Sequence, residues 1–306
     1  MILETNGLTK WYGRQLGCED ICLSVEEGQV FGFLGPNGAG KSTVVKMLVG
    51  LIFPTSGSAL ILGRPLGNVD ARRRVGFLPE NFRYPEWLTG RELLRYHASL
   101  YRIESRRRER RVAEVIEMVG LKGREGDRIK SYSKGMQQRV GLASALLSDP
   151  DLVFLDEPSS ALDPIGRREV RELILSLKRQ GKTVFLNSHL LSEVEQICDQ
   201  VAIIKRGRVA AQGDYRELSS GGMELEIELG GLSEHLLSEL RARGCQYRLI
   251  QLAQKPYQHR LQMSVSRRDQ APEIARLLVE QGADLYSLAL RQPSLEEIFV
   301  RIMEEN

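Results

Sequence analysis

The sequence predicts an α/β protein followed by a smaller α+β unit, and three observations carry that reading. Continuous apolar runs recur at Val30–Leu34, Leu152–Leu155, Thr183–Leu186 and Val201–Ile204, as expected of strands buried on both faces of a parallel sheet. Helix-patterned stretches separate these runs. After Gly221-Gly222 the pattern changes to strict apolar–polar alternation, the mark of strands with one wet face.

The first run leads into Gly35, Pro36, Asn37, Gly38, Ala39, Gly40, Lys41, Ser42 and Thr43, and a helix-patterned stretch from Ser42 to Leu51 follows. This strand, loop, helix order is the setting of a loop that wraps nucleoside phosphates. Glycines let successive N–H groups point inward, and the helix adds the positive end of its dipole. Lys41 is then expected to reach the β- and γ-phosphates, and the Ser42 hydroxyl to ligate Mg²⁺, which keeps most of its ligands as water and phosphate oxygens.

Between about residues 82 and 149 no buried-strand run occurs, and Arg91–Tyr101 and Arg106–Val119 are helix-patterned. A helical insertion is expected there. Its basic stretch Arg106–Arg111 has Glu104 and Glu109 interleaved and reads as a solvated helix face. Phe82, Tyr84, Trp87 and Leu88 give the start of the insertion its aromatic character, a candidate docking surface.

Leu152–Leu155 runs into the adjacent carboxylates Asp156 and Glu157. Side chains alternate along a strand, so the two are expected to face different ways. Asp156 at the strand end suits a Mg²⁺ shell, and Glu157 suits the orientation and deprotonation of an attacking water. A helix is expected over Arg167–Arg179, with Val170, Leu173, Ile174 and Leu177 on one face and Gly181 as its stop. Ser192-Glu-Val-Glu195 reads as a capping box opening a further helix through Cys198.

In the last part, Met223, Leu225, Ile227 and Leu229 alternate with glutamates. A helix follows with Leu236, Leu237 and Leu240, then strand-like Tyr247–Leu252, a turn at Lys255-Pro256, and alternating Leu261, Met263 and Val265. Pro272 is expected to open a helix, Leu285–Leu290 to form the last strand, and Ser294–Glu297 to cap a terminal helix. The order β-α-β-β-α-β is that of a split βαβ, ferredoxin-like sandwich. The expected domains are therefore 1–219, with the helical insertion inside it, and 220–306, which has no cluster of catalytic residue types and is given a packing, dimerising or regulatory role.

Composition sets bounds on the function. At 306 residues the chain is long enough for a full α/β core and a second unit. A net charge of +3 from 43 basic and 40 acidic residues is nearly balanced, which argues against a dedicated nucleic-acid surface. Cys18, Cys22, Cys198 and Cys245 form no CxxC pair, as for thiols in a reducing, cytosolic compartment. No stretch approaches the ~18 consecutive apolar residues that span a bilayer, so any membrane role is expected to belong to a partner.

With these motifs in place, residues 2 to 218 resemble the ATPase subunit of an ATP-binding cassette (ABC) transporter, a phosphate-loop (P-loop) NTPase. Tyr132-Ser-Lys-Gly-Met-Gln-Gln-Arg139 is similar to the signature motif, Ser160-Ala-Leu-Asp163 to the D-loop, His189 to the switch histidine, and Leu78-Pro79-Glu80 stands at the Q-loop. Tyr12 matches the aromatic that stacks on adenine. The resemblance implies ATP and Mg²⁺, with Ser42, Glu80 and Asp156 toward the metal and Glu157 and His189 at the attacking water. It also implies a head-to-tail homodimer or paired ATPase subunit, in which Ser133 and Gly135 of one subunit close over the γ-phosphate held by Lys41 of the other. Lys134 and Met136 depart from the usual signature, and Glu80 stands where glutamine is commoner. These variants, with the ending Pro293–Phe299, resemble the exporter group served by a separate ABC-2 type permease. That places the chain at the cytoplasmic face of the cell membrane, with no nucleic-acid partner. A soluble cassette acting on ribosomes or DNA, and an importer subunit, are the alternatives. No paired cassette or sustained heptads favour the first, and the mixed α/β ending disfavours the second.

Overall fold

The computed structural model describes all residues except 161, 219–222, 243–246, 252–257, 266, 268, 292 and 305–306. Two compact units divide it, Met1–Asp214 and Tyr215–Asn306. In the first, strands β1 (Leu3–Tyr12), β2 (Gln15–Val25) and β3 (Val30–Leu34) lead to helix α1 (Lys41–Leu48), then β4 (Ser56–Ile61), β5 (Arg64–Pro65), α2 (Val69–Arg73) and β6 (Val75–Leu78). Helices α3 (Gly90–Leu100), α4 (Ser105–Met118) and α5 (Lys134–Leu146) follow, then β7 (Leu152–Asp156), α6 (Pro164–Arg179), β8 (Thr183–Asn187), α7 (Leu191–Ile197), β9 (Gln200–Lys205) and β10 (Arg208–Gly213).

The apolar runs form the centre of a six-stranded sheet in the order β10-β9-β3-β8-β7-β6. Its five inner and far strands pair in parallel, and β10 closes one edge antiparallel. Strands β3, β7 and β8 are buried along their whole length, which is why their sequences lack alternation. Phe185 is the hub, with ring centroids 5.4 Å from Phe31, 5.4 Å from Phe33 and 5.1 Å from Phe154. A second, antiparallel sheet, β2-β1-β4-β5, shares this core through Leu3, Leu8, Ile21 and Leu23. Neither this sheet nor β6 is anticipated in the sequence reading, because Gly7, Gly13 and Gly57 break the alternation of its strands with register shifts and left-handed turns.

The helical insertion is present as α3, α4 and α5. Helix α3 opens on a full capping box between Thr89 and Glu92. Most of the basic run on α4 is spent locally: Arg107 pairs Glu104, Arg110 and Arg111 pair Glu114, and Arg111 also donates to the Leu146 and Leu147 carbonyls. Phe82 and Tyr84, both half-buried, meet as tilted rings with centroids 5.0 Å apart, Phe82 packing against Gly141 and Tyr84 edge-on to His97. Burial pushes the Tyr84 hydroxyl up to about 12. The expected aromatic surface is thus reduced to Trp87, 73% exposed.

Two helix starts differ from expectation. Helix α7 begins at Leu191 with Leu190 at its N-cap, so Ser192 lies inside the helix and makes no cap. Ser188 takes the local role, its hydroxyl accepting from the Leu190 N–H. Ile174 and Leu177 lie on the buried face of α6 as expected, but that helix starts at Pro164, where Asp163 accepts from the Gly166 N–H and proline suits the first turn.

The second unit holds α8 (Tyr215–Leu218), β11 (Met223–Gly230), α9 (Glu234–Ala242), β12 (Tyr247–Gln251), β13 (Gln258–Val265), α10 (Gln270–Glu280), β14 (Asp284–Arg291) and α11 (Leu295–Glu304). Its sheet is antiparallel in the order β12-β13-β11-β14. The apolar set of β11 and β13 packs with Leu236, Leu240, Ile274, Leu277 and Leu278 from α9 and α10. The polar set pairs across strands on the other face, Arg260 with Glu226 and Glu228, and Arg291 with Glu226. Helix α10 starts ahead of Pro272, and the expected turn at Lys255-Pro256 lies outside the described residues. Ser294 and Glu297 cap α11 reciprocally. Helix α8 belongs to this unit, since Arg301 of α11 donates to the Leu218 carbonyl, and the division falls ahead of residue 219.

Replacing the hub tests this account of the first unit. Phe185→Ala should cost about 3–5 kcal/mol, seen as an earlier denaturant transition for residues 1–214 with that of the second unit unmoved. A loss under about 1 kcal/mol would mean that the ring cluster does not carry the sheet.

Candidate active site

Four loops leave the C-terminal ends of neighbouring parallel strands: 35–40 after β3, the segment from His189 after β8, that from Glu157 after β7, and that from Pro79 after β6. Ligands of open α/β sheets bind along this edge. The register sets the loops side by side, with Leu78 beside Leu155, Asp156 beside Asn187 and Phe33 beside Asn187.

The loop after β3 needs its glycines for close approach. A side chain at Gly35 would stand 2.5 Å from the Ile204 carbonyl oxygen, and one at Gly40 2.4 Å from that of Gly17. Gly40 also takes φ 104 as the N-cap of α1, a conformation that side chains oppose. Pro36, Asn37 and Gly38 are exposed, while Ala39 is buried and Ser42 and Thr43 are half-buried in the first turn of α1. Lys41 is buried and its ammonium donates to the Gly35 carbonyl at 2.7 Å and that of Pro36 at 3.3 Å. Burial pushes its pKa down, against the opposing pull of Glu157, Asp156 and Glu80. Tyr12 lies over Gly17 beside Thr43, since a Cβ at Gly17 would be 2.9 Å from its ring and 3.1 Å from Thr43.

Strand β7 ends at Asp156, and Glu157 takes φ 52, in the left-handed region. The alternation expected for these two carboxylates therefore does not apply, and the kink aims Glu157. Its N–H donates to the Asn187 carbonyl at 2.9 Å, and its carboxylate meets His189 Nδ1 at 2.7 Å. Gln138 of α5 and the Ser160 hydroxyl both donate to the Glu157 carbonyl. A carboxylate bonded to an imidazole at a strand end can orient and deprotonate a water.

Asp156 is buried and accepts from Asn187 Nδ2. Burial pushes its carboxyl pKa up; the hydrogen bond from Asn187 and the charge of Lys41 oppose this, while Glu80 and Glu157 add to it. Three carboxylates thus act on one buried ammonium, a negative surplus that a divalent cation balances. Ser42, Glu80 and Asp156 offer oxygen donors, which suit Mg²⁺. Among the described residues no group of three His, Cys, Asp or Glu forms a metal cage.

Ser133 and Gly135 stand elsewhere. Ser133 caps α5, accepting from the Met136 N–H at 3.3 Å, and Gly135 faces Leu162. No hydrogen bond among the described residues joins them to loop 35–43. Ala161 of the expected D-loop lies outside the described residues. Two polar links escaped the sequence reading: Asn187 to Asp156, and the buried Ser159 donating to Glu193 at 2.6 Å. A polar residue closing the apolar run 183–186, in register with Asp156, is the signal for the first.

Residues 18–160 match the ABC transporter family. The chain is 43% identical over 287 residues to an uncharacterized ABC transporter ATP-binding protein of Synechocystis sp., covering 93% of this chain and 78% of the relative. It is 36% identical over 307 residues to the bacitracin transport ATP-binding protein BcrA of Bacillus licheniformis, covering 99% and 97%. The chain belongs to the ABC transporter ATPases. This ATPase also superposes on a dimeric ATP-binding cassette solved in a post-hydrolysis state with ADP and Pi, with a TM-score of 0.64 and 26% identity, covering 69% of this chain and 98% of the other. Its first unit has the ABC ATPase fold, and it is a transporter subunit that binds and hydrolyses ATP.

The raised Asp156 carboxyl has a consequence for the free protein. A pKa raised on folding means that the ionised form is disfavoured in the native state, so stability is lost as pH rises through the carboxylate range. Asp156→Asn should therefore raise the melting temperature of the nucleotide-free ATPase at pH 7, with the gain vanishing below about pH 4. An unchanged or lower midpoint at pH 7 contradicts the assignment of unrelieved charge.

Proposed function

We propose that this ATPase powers export through a separate membrane permease of ABC-2 type, closing as a head-to-tail pair on ATP and reopening after hydrolysis. The convergence of Lys41, Asp156, Glu157 and His189 on one sheet edge carries the reading, together with the end-to-end likeness to a bacitracin transport subunit. In this reading Tyr12 stacks on the adenine and residues 35–43 cradle the phosphates. Lys41 leaves its loop carbonyls for the γ-phosphate. Ser42, Glu80 and Asp156 hold Mg²⁺, which neutralises phosphate charge when bound.

Glu157 takes a proton from the attacking water, and His189 holds that water and the γ-phosphate in line. Ser133, exposed, and Gly135, half-buried, stand at the positive end of α5 apart from their own phosphate loop and close over the nucleotide of the paired subunit. Lys134 flanks them without removing the Ser133 hydroxyl. Glu80 in place of glutamine leaves an oxygen for the metal and adds charge to the site.

Among the described residues no helix is long and apolar enough to cross a membrane, so the membrane path is assigned to the permease and the ATPase to its cytoplasmic face. Exposed Leu51, Phe53, Trp87 and Leu100 offer the apolar contacts for docking. Leu51 and Tyr101 line one cleft of about 320 Å³ with Leu48, Pro65 and Phe77. Residues 215–306 are assigned a dimerising or regulatory role, in keeping with a core of their own.

Glu157→Gln should lower turnover at least about 100-fold while ATP still binds, trapping the closed pair. Tagged Glu157→Gln protein taken with ATP from gently solubilised native membranes should carry a multispanning membrane protein in comparable amount, identified by mass spectrometry. Recovery of ribosomal or DNA-bound proteins alone would contradict the transport reading.

A further inference from the structure

Asn187 closes the apolar strand β8, is 2% exposed, and spends only half of its amide. Its Nδ2 donates to Asp156 Oδ1. A carboxylate oxygen facing an amide in this way takes a hydrogen rather than giving one, which fixes the amide's orientation. Oδ1 is then left buried with no partner. Buried amide oxygens are nearly always paired, so one left free beside a reaction centre calls for an occupant. The same residue accepts the Glu157 N–H through its main chain at 2.9 Å, so one residue of β8 anchors both carboxylates at the end of β7.

The chemistry narrows the occupant. Oδ1 only accepts, and neither a phosphate oxygen nor a bare cation gives it a hydrogen. Water does, and Mg²⁺ keeps several waters when it binds through one or two carboxylates and phosphates.

We propose that Asn187 is a positioning residue for ATP hydrolysis: Nδ2 orients Asp156 toward the cation, and Oδ1 accepts a hydrogen from a water carried by the metal–nucleotide complex. The proposal rests on the assignment of the cation to Asp156 made above. Groups that orient a ligating carboxylate affect metal affinity more than they affect the nucleotide itself.

The test uses the full chain in the Glu157→Gln background, where ATP persists. Mn²⁺ binding in the presence of ATP is followed by electron paramagnetic resonance, and ATP affinity is measured separately in EDTA. Asn187→Leu, of similar volume without donor or acceptor, should weaken Mn²⁺ binding about tenfold and leave metal-free ATP affinity nearly unchanged, with a lower melting temperature because the buried Asp156 loses its donor. Asn187→Ser, smaller and still polar, is measured alongside in case leucine prevents folding, with the same direction expected. Asp156→Asn serves as the reference. Unchanged Mn²⁺ binding in the Asn187 variants beside a weakened one in Asp156→Asn overturns the role of Asn187 alone. Unchanged binding in all three overturns it together with the metal assignment. Parallel loss of metal-free ATP binding in both Asn187 variants shows a packing role and also overturns it.

Discussion

The parallel register of β3, β8, β7 and β6 is the constraint on which the rest of the site depends. Pairing Asp156 with Asn187 and Phe33 with Asn187 brings the phosphate loop, the carboxylate pair and His189 to one edge. The register is held by burial on both faces, with Phe185 packed between Phe31, Phe33 and Phe154. A slip of one residue would turn every side chain of a strand to the opposite face and part Asp156 from Asn187.

The same edge concentrates unfavourable terms. Lys41 and Asp156 are charged groups withdrawn from water, and Glu157 adopts a left-handed backbone that a residue ahead of proline rarely takes. The Asn187 carbonyl, which accepts from the Glu157 N–H, and the donors Gln138 and Ser160 hold the kink in place. Burial of these charged groups and the left-handed turn both count against the stability of the nucleotide-free protein. Cys18 and Cys198 have no part in the site: both are buried free thiols with pKa values pushed up by burial, inert toward exchange.

Much of this was legible in the sequence, for reasons specific to each element. Runs 30–34, 152–155, 183–186 and 201–204 declared a parallel sheet because strands buried on both faces need no polar positions. The β-α-β-β-α-β order of the second unit followed from alternation at 223–229 and 261–265 and helical spacing between. The antiparallel sheet of β1, β2 and β4 stayed hidden because glycine turns and register shifts break its period. The capping box at Ser192 failed since Ser188, one turn earlier, already serves the start of α7. Glu157 was singled out on its neighbours, but its direction came from a backbone kink that no pattern announces. Asn187 was missed because its meaning lies in the strand beside it.

Ser133 and Gly135 fit a site completed by a second copy, since the structure keeps them apart from their own phosphate loop while leaving Ser133 exposed and Gly135 half-buried at a helix N-terminus. Mixing two inactive proteins tests that claim most directly. Glu157→Gln and Ser133→Arg each spoil one half of every composite site in their own pairs. Mixed at equal amounts, they form heterodimers in which one site joins an intact Glu157 to an intact Ser133. The account predicts that ATP hydrolysis by the mixture rises well above that of either protein alone. Turnover that stays at the level of the separate variants, with heterodimers shown to form, would contradict it.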